Sequence, residues 1–345
     1  MNRALVLGGT GLVGRAIALR LARGGWRVDV TGRDFANTPN ELTSADVSFM
    51  RADSRDASDV AAAFGAGADL LVDCVCYTAE DARRLLLFAR NATATVMISS
   101  KAVYVDSAGN HSNSEVPPRF AGPIRETQPT VAPNDADYNS REGYGPNKVA
   151  AEQVLLDSGL PVSVLRPSKI HGRGAAPPRE WVFVKRVLDG RPAVFLANRG
   201  AGVDHTTAAA NIAALVEVLA TNPGARVLNI ADPDAPTGLE IARTIARLLD
   251  HEWQEVLLDG DPVGNVGLYP WNARHPIVLD MSAALALGYS PIGGYAATVA
   301  DEVEWLVTAA TGGADAAKLP RDDDPFFAPL FAYAAEDRLL EAGVP

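Results

Sequence analysis

Cysteine is scarce: Cys74 and Cys76 are the only two among 345 residues. They stand two apart in an expected strand, too close for an unstrained disulfide. Neither has the further Cys or His partners of a zinc site, so no metal centre is expected. Buried, reduced thiols in a cytoplasmic setting are the reading adopted. Positive charge is also in deficit, with 31 Lys and Arg against 42 Asp and Glu and a net charge of −11. That balance argues against broad attraction to nucleic acid or an anionic membrane surface. No apolar run approaches the length needed to span a bilayer. The first strand begins almost at once, which leaves no room for a signal peptide. Repeats and low-complexity tracts are lacking too. What remains is a hydrophobic content of 48%, enough for a large core and for two unequal domains.

The most informative stretch is the first. Ala4-Leu5-Val6-Leu7 reads as a buried strand, Gly8-Gly9-Thr10-Gly11 as a turn, and residues 15–22 as an amphipathic helix. A strand, a glycine turn and a helix in this order suggest a dinucleotide site. Gly8 allows the sharp turn, Gly11 lets a pyrophosphate approach the backbone, and Gly14 allows close helix–strand packing. The helix N-terminus offers N–H groups to phosphate. A second strand ends in Thr31-Gly32-Arg33-Asp34. Gly32 stands where an NAD site often has a ribose-binding carboxylate. Arg33 then reads either as a partner for a 2′-phosphate or as a solvated arginine beside Asp34.

Further strands are expected at 47–52, 69–76, 94–100, 161–167 and 226–230. Helices are expected at 58–64, 79–90, 144–156, 208–220, 237–249 (with Thr237 as N-cap) and 295–310. Alternating strands and helices predict an α/β fold, a doubly wound parallel sheet of Rossmann type with a smaller C-terminal substrate-binding domain. Ligands should lie beyond the carboxyl ends of the strands, where Thr31–Arg33, Asp53, Cys74–Tyr77 and Ser99–Lys101 fall. The polar, Pro/Gly-rich stretch 105–143 is long enough to be functional or mobile. His111 and His171 read as exposed or capped histidines. The run Asp322-Asp323-Asp324 reads as a solvated face. Tyr269, Trp271 and Tyr289 read as core, and Arg166 as structural.

At Tyr144-x-x-x-Lys148 the pattern resembles a family, the extended short-chain dehydrogenases/reductases, which include NAD(P)-dependent epimerases, dehydratases and reductases. The resemblance rests on several pieces: Gly8-x-x-Gly11-x-x-Gly14, Asp53, Ser99-Ser100-Lys101-Ala102-Val103-Tyr104, Glu126-x-x-Pro129, Leu165-Arg166-Pro167 with His171-Gly172, and Leu279-Asp280-Met281-Ser282 with Leu287-Gly288-Tyr289. It implies that Gly8, Gly11, Leu12 and Val13 line the pyrophosphate and Arg33 the adenosine end. Asp53 and Ser54 would meet the adenine, and Cys74, Val75 and Cys76 would line the cleft. Lys148 would bind the nicotinamide ribose, with Pro167 and Ser168 along the nicotinamide. Ser100, Tyr144 and Lys148 would form the catalytic set. Dehydratases of the group carry an Asp-Glu pair where this chain has Lys101 and Ala102.

The expected division is a dinucleotide-binding domain over 1–170, to which 203–232 returns, and a substrate-binding part over 171–202 and 233–345. NADP is expected ahead of NAD. The partner is a small molecule such as a nucleotide-linked sugar or a similar hydroxy metabolite, and homodimer formation is allowed for. The alternative is a cofactor-binding regulator or RNA-binding relative without turnover.

The chemistry also follows from the residues. Hydride transfer at a carbinol carbon needs a proton transfer at its oxygen. A free tyrosine hydroxyl has a pKa of about 10, and a nearby ammonium favours its phenolate. Tyr144 and Lys148 are i and i+4, on one helix face. Ser100, at a strand end, can orient the reacting oxygen. In isolation such a Tyr–Lys pair is also a common surface pair; the upstream glycine turn and the Ser-Ser strand end favour catalysis.

Overall fold

A computed structural model describes residues 1–34, 39–45 and 47–343. The chain divides into two compact units, one formed by Met1–Ile170, Thr207–Asp232 and Leu279–Ile292, the other by His171–Thr206, Pro233–Val278 and Gly293–Pro345. The elements in chain order are β1 (Arg3–Leu7), α1 (Leu12–Arg23), β2 (Arg27–Gly32), α2 (Asn40–Ser44), β3 (Ser48–Arg51), α3 (Ala57–Phe64), β4 (Ala68–Asp73), α4 (Ala79–Ala89), β5 (Ala92–Ile98), α5 (Tyr144–Leu156), β6 (Val162–Pro167) and β7 (Lys169–His171). They continue with α6 (Trp181–Leu188), β8 (Ala193–Leu196), β9 (Thr206–Ala208), α7 (Ala209–Thr221), β10 (Arg226–Ile230), α8 (Gly238–Leu248), β11 (Gln254–Leu257), α9 (Ser282–Ala286), α10 (Tyr295–Thr298), α11 (Ala300–Ala310) and α12 (Tyr333–Glu341).

The first unit is built on a seven-stranded sheet of order β10-β6-β5-β4-β1-β2-β3, parallel throughout. Side chains alternate across it, as the two-residue period of a strand requires. Ala4 and Val6 pack with Ile17, Leu21, Ile212 and Leu215 of α1 and α7. Leu5 and Leu7 pack with Phe64, Leu85, Phe88 and Leu155 of α3, α4 and α5. Both faces are covered, so the central strands carry apolar residues on both sides of the sheet. Sequential order reverses between β1 and β4, where Leu7 pairs with Asp73. That reversal opens the crevice in which sheets of this kind bind ligands.

Local signals set the ends of several elements. Asp73 stops β4 early, because its Oδ1 accepts the Val75 N–H at 2.7 Å and turns the chain. Cys74 and Cys76 therefore follow the strand instead of lying in it, and both are free thiols. α4 and α8 begin with reciprocal capping boxes, Thr78 with Asp81 and Thr237 with Glu240. Pro146 falls in the first turn of α5, where its missing N–H leaves no bond unmade. The stretch between β5 and α5 is knitted around Asp106, whose carboxylate accepts the N–H groups of Ala108, Asn110 and Arg119 at 2.8–2.9 Å.

The second unit has its own core, in which Trp181, Phe183, Ile241, Ile245, Trp271, Trp305 and Leu306 are buried together. β8 and β11 pair in parallel. The stretch expected as one helix over 295–310 is two, α10 and α11, meeting at Val299. α12 is fixed by a bidentate ion pair, Arg186 Nη1 and Nη2 to the Glu336 carboxylate at 2.9 and 2.8 Å, with both side chains buried. Among the described residues, no helix is long and apolar enough to cross a membrane.

Candidate active site

The candidate site lies at the carboxyl edge of the seven-stranded sheet. The segments after β1, β2, β3, β4, β5 and β6 all end there, because parallel strands share one direction. Each carries residues that the sequence pattern singles out.

Gly8 follows β1 with φ of +74°, and a Cβ there would come within 2.7 Å of Val75. The turns after β1 and β4 are thus in contact. At Gly14 a Cβ would meet Gly8 O at 2.5 Å and Gly9 Cα at 2.7 Å, so α1 sits directly on the turn. Gly9 was not singled out from sequence; a Cβ on it would strike Val30 at 2.4 Å. Gly11 is the exposed N-cap of α1 and supplies no side-chain cap. The first backbone N–H groups of α1 are therefore available to an anion. Leu12 and Val13, both half-buried, form its first turn.

β2 and β3 are neighbours, with Gly32 opposite Arg51. Arg33 and Asp53 therefore emerge side by side, both exposed. Asp53 Oδ1 accepts the Arg55 N–H at 3.0 Å, and half-buried Ser54 lies between them. At the end of β6, Pro167 and Ser168 are buried. The Ser168 N–H donates to Thr207 Oγ1 at 3.0 Å, while its Oγ has no hydrogen-bond partner. An unsatisfied buried hydroxyl and an uncapped helix start are features that a bound dinucleotide would complete.

Lys148 is the most constrained member. Its side chain is buried, and Nζ donates to Cys76 O at 2.7 Å and Ile98 O at 2.9 Å. It thereby ties the ends of β4 and β5 to α5. The same ammonium sits 4.3 Å from the centre of the Tyr77 ring. Tyr144, one turn earlier on α5, is half-buried. Ser100 follows β5 and its Oγ accepts the Ala102 N–H at 3.1 Å. The turn at Lys101–Val103 is pressed against α5, since a Cβ on Gly145 would fall 2.8 Å from Ala102 O. Ser100 and Tyr144 are thus held on adjoining segments, although no hydrogen bond joins Tyr144 to Ser100 or Lys148 among the described residues.

Tyr77 closes the Cys74–Tyr77 segment expected at the ligand edge, without a role of its own, and Tyr138 is not marked by the sequence at all. Tyr77 stacks on Tyr138 at 5.3 Å, and Arg55 donates to the Tyr138 hydroxyl. Burial, then the neighbouring Tyr144, push the Tyr77 hydroxyl up to about 12. Tyr77 has the right signal, four residues past the end of β4. Tyr138 lies in the long polar stretch, where no periodicity marks it. Asp73, buried beneath the site, has its carboxyl pushed up to about 6, chiefly by burial, against the pull of the Val75 N–H and Lys148.

Outside this edge, Arg166 is structural: its guanidinium donates to Glu152, buried with it, and lies over the Tyr104 ring. Tyr269, Trp271 and Tyr289 are core, each under 5% exposed. His171 differs from its expectation as an exposed or capped residue. It is 1% exposed, because the chain beyond β7 turns inward against α10 and α11 of the second unit, where its ring lies 5.1 Å from that of Tyr295.

A parallel sheet with a glycine turn at its switch point, and Tyr and Lys one turn apart beside it, defines a dinucleotide-binding enzyme of the extended short-chain dehydrogenase/reductase type. The match of a family model over residues 4–231 is specific: the chain belongs to the NAD dependent epimerase/dehydratase family. Its fold is that of dTDP-glucose 4,6-dehydratase from Bacillus anthracis, solved with NAD (14% identity, 91% of this chain and 99% of that one, TM-score 0.67). It is also that of UDP-glucose 4-epimerase from Stenotrophomonas maltophila, solved with NAD and formylated UDP-arabinopyranose (19%, 91% and 100%, 0.68). The Thermus thermophilus UDP-glucose 4-epimerase, again solved with NAD, is similar (21%, 88% and 99%, 0.63). Among curated proteins, none matches this sequence.

Proposed function

We propose that this enzyme acts on a carbinol or ketone of a nucleotide-linked sugar or a similar small hydroxy metabolite, with Tyr144 as the acid/base group. The observation that carries this reading is the packing of the Ser100 turn against α5, which brings Ser100 beside the helix that presents Tyr144 and Lys148. Gly8, Gly11, Leu12, Val13 and Gly14 would hold the pyrophosphate. Arg33, Asp53 and Ser54 would hold the adenosine end, and Cys74, Val75, Cys76, Lys148, Pro167 and Ser168 the nicotinamide half. A nicotinamide dinucleotide supplies the hydride acceptor and donor when bound. The protein's part is to bind, orient and move the proton. Ser100 orients the substrate oxygen, Tyr144 takes or returns its proton, and the Lys148 charge stabilises negative charge developing nearby.

Replacing Tyr144 by Phe removes one oxygen and little volume, so cofactor binding should survive. Loss of acid/base help costs roughly 10²–10⁴ in rate. The test is turnover of Tyr144→Phe on a panel of nucleotide sugars and ketones, alongside its cofactor dissociation constant. Near-normal turnover with intact binding would remove Tyr144 from this role. Ser100→Ala should lower turnover with cofactor affinity nearly unchanged, and the two effects should not add. Elimination to a 4-keto-6-deoxy sugar is not expected, because Lys101 and Ala102 supply no carboxylate beside Ser100. Formation of that product from a nucleotide hexose would overturn the exclusion.

A further inference from the structure

Two carboxylates and an imidazole converge in the second unit. His171 ends β7, Glu180 is the N-cap residue of α6, and Glu302 lies in the first turn of α11. All three are buried, at 1%, 1% and 0% exposure. One ligand atom from each lies within 4.8 Å of the other two. The two Glu302 oxygens have different surroundings. Oε2 accepts the Gly172 N–H at 2.5 Å, whereas Oε1 is buried with no hydrogen-bond partner. Glu180 Oε1 accepts from the Tyr295 hydroxyl at 3.3 Å, and the Tyr295 ring packs on His171.

Two facing ionised carboxylates in a dry site offer only acceptors to each other, so the pair is held either by one shared proton or by a cation between them. One imidazole nitrogen with two carboxylate oxygens is a ligand set suited to zinc and its neighbours in the transition series.

We infer that His171, Glu180 and Glu302 bind a divalent transition-metal ion, with zinc as the reference ion. Ligand atoms around tetrahedral zinc stand roughly 3.3 Å apart, so atoms that lie within 4.8 Å of one another need to draw together by at most about 1.5 Å. The bonds from Gly172 and Tyr295 would orient Glu302 and Glu180 from outside the metal. The ion would join the end of β7 to the starts of α6 and α11 and neutralise the carboxylates. Sequence spacing hides the site, because Glu302 lies more than a hundred positions beyond His171 and Glu180.

The test uses tag-free full-length protein, washed with chelator, dialysed against micromolar zinc, and analysed for metal content. Wild type should retain about one zinc per chain, and Glu302→Gln and Glu180→Gln less than about a tenth of that. Cobalt(II) should give wild type the visible absorption of a low-symmetry site that both variants lack. Wild-type Tm should rise with zinc and fall with chelator, and Glu302→Gln should respond to neither. A wild type that takes up no zinc overturns the proposal whatever the variants do. Equal uptake by wild type and both variants overturns it as well. A Glu302→Gln protein more stable than a metal-free wild type that ignores zinc would assign the pair a shared proton instead.

Discussion

At the scale of single residues, Asp73 makes the sharpest claim about pH. Its carboxyl titrates near 6 in the folded protein, against 3.8 ordinarily. Between those values the folded state holds a proton that the unfolded chain has released. Stability must therefore fall as pH rises through this window, and above it the buried charge costs about 3 kcal/mol. Asn at position 73 keeps the carbonyl that accepts the Val75 N–H and removes the charge. In cofactor-free protein, Asp73→Asn should be more stable than wild type at pH 8, and the difference should vanish near pH 4; equal denaturation midpoints at pH 8 would refute this. Arg33, exposed beside Asp53, bears on cofactor choice. If it pairs a 2′-phosphate, Arg33→Ala should weaken NADPH binding roughly tenfold or more and leave NADH binding unchanged, as measured by titration. Tighter NADH than NADPH binding by wild type would count against it. The placement of the glycine turn before α1 and of Tyr144 and Lys148 one turn apart on α5 was legible because backbone geometry and the helical i, i+4 repeat restrict it. The bonds from Lys148 to two carbonyls and the stack of Tyr77 on Tyr138 were not, since both depend on segments distant in sequence.

At the scale of elements, the parallel strands and their helices were readable because each strand is apolar and each helix has a covered face. The errors fall where something else decides. Asp73 ends β4 with a side-chain bond instead of a change in hydrophobicity. α6, β8 and β11 are short, and only their neighbours in the second unit stabilise them. α12 follows an acidic, Pro-containing stretch that reads as a tail, and it is held by the buried Glu336 carboxylate together with Ala335, Leu339 and Leu340, which pack on Ala193, Phe195 and Val256. The Thr237 cap of α8 was legible, and it carries a prediction. Thr237 Oγ1 accepts the Glu240 N–H at 3.2 Å, and Glu240 Oε2 accepts the Thr237 N–H at 2.8 Å. Thr237→Ala should cost about 1 kcal/mol, read as a lower denaturant midpoint with an unchanged m-value. Thr237→Asp, which keeps an acceptor at the cap, should recover most of it.

At the scale of the whole molecule, each unit is assembled from stretches that the other interrupts. The Arg186–Glu336 pair belongs to this level because it joins α6 to α12 across 150 positions of chain. Removing one partner of a buried pair strands the other charge, at a cost of about 3–5 kcal/mol. Glu336→Ala should therefore lower stability by that order, whereas replacing both partners with Met and Leu should recover much of it. Denaturation of the single and double variants separates the two outcomes. The same pair has a consequence in time. A ribosome adding about 5–20 residues per second makes Arg186 roughly 8–30 s before Glu336. Throughout that interval the guanidinium lacks the acid that permits its burial. The nascent second unit must keep that surface in water, and its core can close only after the far end of the chain has been made.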